Sequence, residues 1–294
     1  MDRRMLQRSL LELIRRTSAE LPDDVAEAIS RALHKEPRNT TGRYAMEVIK
    51  KNCEMAREKS LPICQDTGSI LVFVRGSKGL DQLAFRKAGD AAVVEATKVG
   101  YLRQNSVDPI TGKNPGNNLG PGSPNYHFEQ KAGTSTEVRL ILKGGGCENM
   151  GIQYSLPDGR LGAGRDLAGI EKCILDAVNQ AQGKGCGPGI VGVTIGGDRA
   201  SGYVHSKEVL LRKLDDKNPN PVLQRLEQRV VKRANDLGIG PMGFGGNTTL
   251  LGCKVGVLNR LPASFFVSIS YMCWAYRRHG MILDGRGQIR GWLY

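Results

Sequence analysis

The residues with the most reactive chemistry in this 294-residue sequence are its seven cysteines, and they fall into two contexts. Cys53 and Cys173 lie on or beside apolar helical stripes, and Cys253 lies in a strand-like run. A free cysteine behaves as a small hydrophobe, so these three read as core. Cys64, Cys147, Cys186 and Cys273 lie instead at element ends or in glycine-rich turns. Their surroundings are Pro62-Ile63-Cys64-Gln65-Asp66-Thr67-Gly68, Gly144-Gly145-Gly146-Cys147, Gly183-Lys184-Gly185-Cys186-Gly187-Pro188-Gly189 and Ser270-Tyr271-Met272-Cys273-Trp274. Glycines beside a cysteine expose backbone N–H groups that can donate to cluster sulfides. Lys184, Arg277 and Arg278 would stabilise a thiolate or an anionic cluster. No CxxC pair occurs, which argues against a zinc ribbon and a ferredoxin-type run. Any metal site must therefore be assembled from distant segments, and on spacing alone structural cysteines are the favoured reading.

Composition narrows the field. Seven is an odd number of cysteines, no export signal is evident, and a disulfide framework is not expected. The start, MDRRMLQRSLLELIRR, has charges in every stretch that could serve as a signal-peptide core, and reads as an amphipathic helix. A cytoplasmic protein is expected. No apolar run approaches the roughly 18–20 residues of a membrane helix. The net charge is +13, yet aromatics make up only 5%, and no nucleic-acid-reading motif or basic low-complexity arm accompanies it. Nucleic acid is thus not an expected partner; the charge suits a protein partner, dianion steering or simply a basic surface.

The pattern around these segments predicts α/β architecture: a helical N-terminal region, residues 1–60, followed by mixed β-sheets flanked by helices in a single catalytic unit. Helices are expected over 4–16, from Pro22 through Leu33, and from the Asn39–Thr41 caps to about Lys59. Ile70–Val74 reads as a buried strand and Ala84–Val99 as a helix. Residues 103–125, rich in Pro, Gly and Asn, form an aperiodic stretch long enough to be functional. Tyr126–Gln130 and Thr136–Lys143 read as a hairpin around Ala132-Gly133. Further on, helices are expected at Asp166–Gln182, Ser206–Leu214 and Pro221–Leu237. Strands are expected at Ile190–Ile195, Leu250–Leu258 and Phe265–Tyr276. The G-x-G-x-x-G at 238–243 follows a helix and precedes a strand-like run, the reverse of the dinucleotide-binding arrangement.

Six segments together resemble the iron–sulfur-dependent class I fumarate hydratases, specifically the alpha subunit of the two-subunit form, a family that includes tartrate dehydratase alpha subunits. They are PICQDTG at 62–68, GYLRQNSVDPITGKN at 100–114, KGGGCENMG at 143–151, GKGCGPGIVGVTIGGDR at 183–199, GIGPMGFGGNTTLLG at 238–252 and LPASFFVSISYMCWAYRR at 261–278. The resemblance implies a [4Fe–4S] cluster held by Cys64, Cys186 and Cys273, with one iron not ligated by protein; Cys147 drops out of the ligand set. It implies that Gln65 and Asp66 lie beside the cluster and contact substrate, Asp66 as general base or proton-positioning acid. Arg103 corresponds to the family's substrate-carboxylate arginine, and Gly144, Gly145 and Gly146 would approach substrate through backbone N–H groups. Arg277, Arg278 and His279 are either supporting residues near the last ligand or an exposed basic strand end.

The implied activity is reversible hydration of fumarate to (S)-malate, with dehydration of L-tartrate to oxaloacetate as the alternative. Such a reaction needs a Lewis acid for a poor leaving group and a base against a weakly acidic C–H. A small dicarboxylate substrate calls for cationic clamps. Single-chain members continue into a second domain carrying further active-site groups. A separate beta subunit is therefore expected to complete the site, within a higher oligomer, with the present chain inactive alone. An electron-transfer or sensor protein, the rival iron–sulfur class, would want four protein ligands.

Overall fold

A computed structural model describes residues 1–294. The N-terminal region forms three helices, α1 (Arg3–Ala19), α2 (Asp23–Lys35) and α3 (Thr41–Lys59). Strand β1 (Ser69–Gly76), helix α4 (Gln82–Lys98), and strands β2 (Asn125–Gln130) and β3 (Thr136–Lys143) follow. Next come the short α5 (Gly145–Asn149), β4 (Ile152–Ser155), α6 (Leu167–Ala181), β5 (Gly189–Gly196), α7 (Arg199–Glu208) and α8 (Pro221–Asp236). Four strands close the order: β6 (Leu250–Leu258), β7 (Phe266–Met272), β8 (Arg278–Leu283) and β9 (Ile289–Trp292). No helix is long and apolar enough to cross a membrane.

The chain folds as two compact units. One comprises Met1–Asp23, Lys51–Gly145 and Arg277–Tyr294; the other comprises Asp24–Lys50 and Gly146–Tyr276.

The first unit is built on a five-stranded sheet of order β2-β1-β3-β8-β9. Only β1 and β2 run parallel. Its core shows both periodicities at once. Ile70, Val72 and Val74 of β1, and Val138, Leu140 and Leu142 of β3, share one sheet face because alternate strand residues point the same way. Leu6, Leu10, Leu13 and Ile14 of α1 cover it, with Phe85, Ala88, Ala92 and Ala96 of α4, at the spacing of a helical stripe. Asp2 caps α1 and Asp81 caps α4, each carboxylate accepting a backbone N–H of the first turn.

The second unit holds a four-stranded sheet of order β4-β7-β5-β6, with β5 and β6 parallel. Its two faces differ. Val267, Ile269 and Tyr271 of β7 join the apolar residues of α6 and α8 in one buried cluster. The intervening Ser268 and Ser270 are also buried but polar. Ser270 Oγ meets Ser206 Oγ of α7 at 2.8 Å, and Thr194 Oγ1 meets His205 Nδ1 at 2.9 Å. Hydroxyl pairing thus satisfies polar groups that the α7 face would otherwise leave stranded.

Three sequence expectations are corrected. Strands β2 and β3 form no hairpin with each other: β1 lies between them, parallel to β2 and antiparallel to β3. The helix expected at Ser206–Leu214 begins at Arg199, because Asp198 and Ser201 form a capping box that starts it earlier; Val209–Leu211 is a separate 3-10 turn. The strand expected to reach Tyr276 stops at Met272, so Cys273 lies in irregular chain before β8. Strands β4, β8 and β9 and helix α5 were not anticipated.

Candidate active site

In the first unit the Leu61–Gly68 segment has no regular secondary structure, and hydrogen bonds fix it instead. Buried Ile63 donates its N–H to the Ser18 carbonyl and accepts from Asn52 Nδ2, both at 2.9 Å. Thr67 Oγ1 donates to the Arg103 carbonyl at 2.7 Å and accepts the Arg103 N–H at 2.9 Å. At Gly68, with φ +76°, a Cβ would lie 2.3 Å from the Lys143 carbonyl oxygen, so only glycine permits that approach. Cys64, Gln65 and Asp66 sit between these anchors; Cys64 and Asp66 are half-buried and Gln65 is exposed.

The Asp66 carboxylate is held on both oxygens. Oδ2 accepts the Gly145 N–H at 2.6 Å, and Oδ1 accepts a short bond from the Asn105 side-chain amide. Asn105 is positioned in turn by Asn118, which is buried at 2% exposure. Asn118 Oδ1 accepts the backbone N–H groups of Asn105 and Ser106, and its amide donates to Thr97 Oγ1 and the Arg103 carbonyl. The same network pins the Arg103 backbone while leaving its side chain exposed and unpaired. Neither asparagine was singled out in the sequence; the long aperiodic, Asn-rich stretch was the only signal.

The Gly144–Gly146 run divides its roles. The Gly145 N–H is taken by Asp66 rather than left open. Gly144 is buried, and a Cβ there would sit 3.0 Å from Asp66 Oδ2. After the boundary of the two units, Arg277, Arg278 and His279 are 1%, 0% and 2% exposed, so they are not an exposed basic strand end. The Arg278 guanidinium lies 4.3 Å over the Tyr294 ring, and His279 Nε2 meets the Glu20 carbonyl at 3.2 Å.

In the second unit, Cys186 adopts left-handed backbone geometry at the end of the Gln182–Gly185 turn, φ 50° and ψ 57°. The Trp274 N–H donates to the Cys186 carbonyl at 3.3 Å, tying the Cys186 loop to the chain just past Cys273. The Met242 N–H donates to the Gly187 carbonyl at 2.9 Å, bracing that loop from the other side. Tyr271 is the hub. Burial pushes its phenol well above the ordinary value, and the thiols of Cys273, Cys147 and Cys186 push the same way. All three cysteines therefore lie within electrostatic reach of one ring. A Cβ at Gly185 or Gly189 would collide with Tyr271, at 2.6 Å and 2.2 Å. The glycines of this loop thus make room for the ring.

The remaining cysteines behave differently. Burial pushes the Cys53 and Cys173 thiols up to about 12 and raises that of Cys253. They stay protonated near neutrality and are poor ligands. All seven cysteines are free. No three Cys, His, Asp or Glu side chains converge tightly enough for a single metal ion. A cubane places its thiolates on separate corners and does not ask for such convergence. The donor set fits a cluster on chemistry: Cys186 sits in a glycine-rich loop whose carbonyl at Cys186 accepts from Trp274, the residue after Cys273.

The sequence model of the family described as fumarate hydratase (Fumerase) matches residues 7–282. The chain is 52% identical, over 98% of its length, to a provisionally named class I fumarate hydratase of Geobacillus stearothermophilus. It spans only 57% of that relative. It is 33% identical to a provisionally named L(+)-tartrate dehydratase subunit alpha of Methanocaldococcus jannaschii, covering 92% of this chain and 94% of that one. Against the L(+)-tartrate dehydratase subunit alpha of Escherichia coli K12 the identity is 30%, over 90% of this chain and 86% of the relative. With the family model matching residues 7–282 and a relative 33% identical matched over 92% of this chain and 94% of its own length, the chain belongs to the fumarate hydratase (Fumerase) family.

Proposed function

We propose that this chain is the alpha portion of an iron–sulfur hydro-lyase that hydrates fumarate reversibly to (S)-malate, acting as one catalytic domain in the cytoplasm. The observation that carries the reading is the Asp66 carboxylate, fixed between Asn105 and Gly145 beside the Gly144 backbone. The 52% identity to the Geobacillus relative favours fumarate.

Cys64, Cys186 and Cys273 would hold a [4Fe–4S] cluster, and the chemistry it supplies when bound is a Lewis-acid iron, free of protein thiolate, for the departing hydroxyl. The rest falls to the chain. In dehydration, Asp66 takes the proton from the carbon next to a substrate carboxylate at Oδ2; in hydration it returns that proton. Its two fixed donors keep the oxygen aimed, so orientation is not lost on each turnover. Arg103, unpaired and exposed, supplies a cation to a substrate carboxylate, and Gln65 supplies an amide next to it. Gly146 adds a backbone N–H. Further cationic groups would come from a beta subunit, in a higher oligomer, and the basic surface suits such a partner and the approach of a dianion.

The tartrate reading keeps one specific support: the alpha subunits of that enzyme match this chain over 94% and 86% of their own lengths. Anaerobic reconstitution with the beta subunit, followed by assay against malate and L-tartrate side by side, decides between them. Faster turnover of malate supports the fumarase reading; turnover of tartrate alone overturns it.

A further inference from the structure

Arg277 is a buried cation without an ion-pair partner. Its residue is 1% exposed, and its Nε and Nη1 atoms are buried with no hydrogen-bond partner. No carboxylate lies within ion-pair distance of it. An unpaired charge in the interior is costly, and it persists where something supplies the missing partner. The neighbouring Arg278 is different, since it lies against the Tyr294 ring.

The backbone explains where Arg277 points. Its carbonyl accepts the Leu142 N–H at 3.0 Å, which extends the β3–β8 ladder by one residue and sets Arg277 beside the chain entering Gly144. A Cβ built on Gly144 would lie 3.9 Å from Arg277 Nη2 and 3.0 Å from Asp66 Oδ2. Guanidinium and carboxylate therefore border the same gap, which glycine alone keeps clear. Asp66 makes no ion pair with Arg277; its two oxygens accept from Gly145 and Asn105.

We propose that Arg277 binds one carboxylate of the dicarboxylate substrate, across the gap that Gly144 leaves open beside Asp66. This rests on the hydro-lyase reading above and assigns the carboxylate next to the carbon that loses its proton. As that C–H bond breaks, the proton goes to Asp66 Oδ2 and the electron pair moves into the carboxylate held by Arg277. The pair then forms the double bond as hydroxide departs. A cation fixed there stabilises the charge as it develops.

The test uses the complete enzyme with Arg277→Lys and Arg277→Gln, and Gly144→Ala as a variant that leaves the arginine in place. For malate we expect KM to rise and kcat to fall, each roughly tenfold or more, with lysine recovering part of the loss. Calorimetric binding of unreactive succinate to the same proteins should weaken by a similar factor, while propionate binding changes little. Succinate binding within about twofold of wild type in variants whose circular dichroism is unaltered would overturn the assignment. So would absence of succinate binding by the wild-type protein. Failure of the underlying reading shows separately, as a wild-type enzyme that turns over neither malate nor tartrate. If the arginine variants do not fold, the Gly144→Ala succinate affinity decides: loss supports the proposal, and an unchanged value overturns it.

Discussion

Asp66 Oδ2 accepts the N–H of Gly145 at 2.6 Å, and that single bond links two segments 79 residues apart in the sequence. It joins the loop after α3 to the end of β3, where a chain leaving the sheet has an unpaired amide to offer. The carboxylate thereby acquires a fixed direction without any charged partner in ion-pair contact.

Replacing Asp66 by Asn keeps the shape and removes the base. Turnover should drop by about 10²–10⁴-fold, the usual contribution of a positioned acid–base group. Iron content and visible absorption should match wild type. A variant with near-normal kcat would show that the proton is handled elsewhere.

Asn105→Ala removes the donor to Asp66 Oδ1 while leaving the carboxylate itself. One hydrogen bond to a charged group contributes about 1.5–3 kcal/mol, so kcat/KM should fall roughly 10- to 100-fold. The melting temperature should change little, because the Asn105 side chain is exposed. Stopped assays beside a thermal scan check both halves of this expectation.

The cysteines should separate under substitution. Single changes of Cys64, Cys186 or Cys273 to Ala should abolish bound iron after anaerobic loading. Cys147→Ala should retain it, although Cys147 lies near Tyr271 along with Cys186 and Cys273. Iron and sulfide analysis of the four proteins gives the answer, and loss of the cluster from the Cys147 variant would show that the ligand set was misassigned.

A pH-dependent contribution comes from Asp216. Burial opposes its ionisation, but bonds from Arg212 and Lys254 outweigh that and hold the carboxyl below its ordinary range. Lys254 is itself buried at 3% and reaches Asp216 Oδ1 at 2.6 Å. A depressed folded-state pKa gives stability that is present above the unfolded value of about 3.9 and is lost as pH falls through the folded one. Asp216→Asn should therefore cost about 2 kcal/mol at pH 7. The difference from wild type should shrink in denaturant melts as the pH falls below about 3.9 and on through the lower folded-state value.

Much of this architecture is legible in the residues. The stripes at Leu6, Leu10 and Leu13 and at Leu223, Leu226 and Val230 mark helices whose buried faces are those observed. Among the cysteines expected in the core, Cys173 and Cys253 are buried and Cys53 is only half-buried, while Cys147 and Cys273, expected in loops, are buried as well. Helix α7 shows where such reading slips: the apolar run after Ser206 outweighed the Asp-x-x-Ser cap at Asp198, which starts the helix.

What the amino-acid order settles by itself is therefore the family and which faces are buried, because side-chain type and period record burial directly. It does not settle who pairs with whom. Backbone donors and acceptors are the same at every residue, so nothing local tells β3 to pair with β1 rather than with the preceding β2. For the same reason an amide from a distant asparagine could be assigned to Asp66, and an unpaired guanidinium recognised at Arg277, only once the chain had folded and brought their surroundings into place.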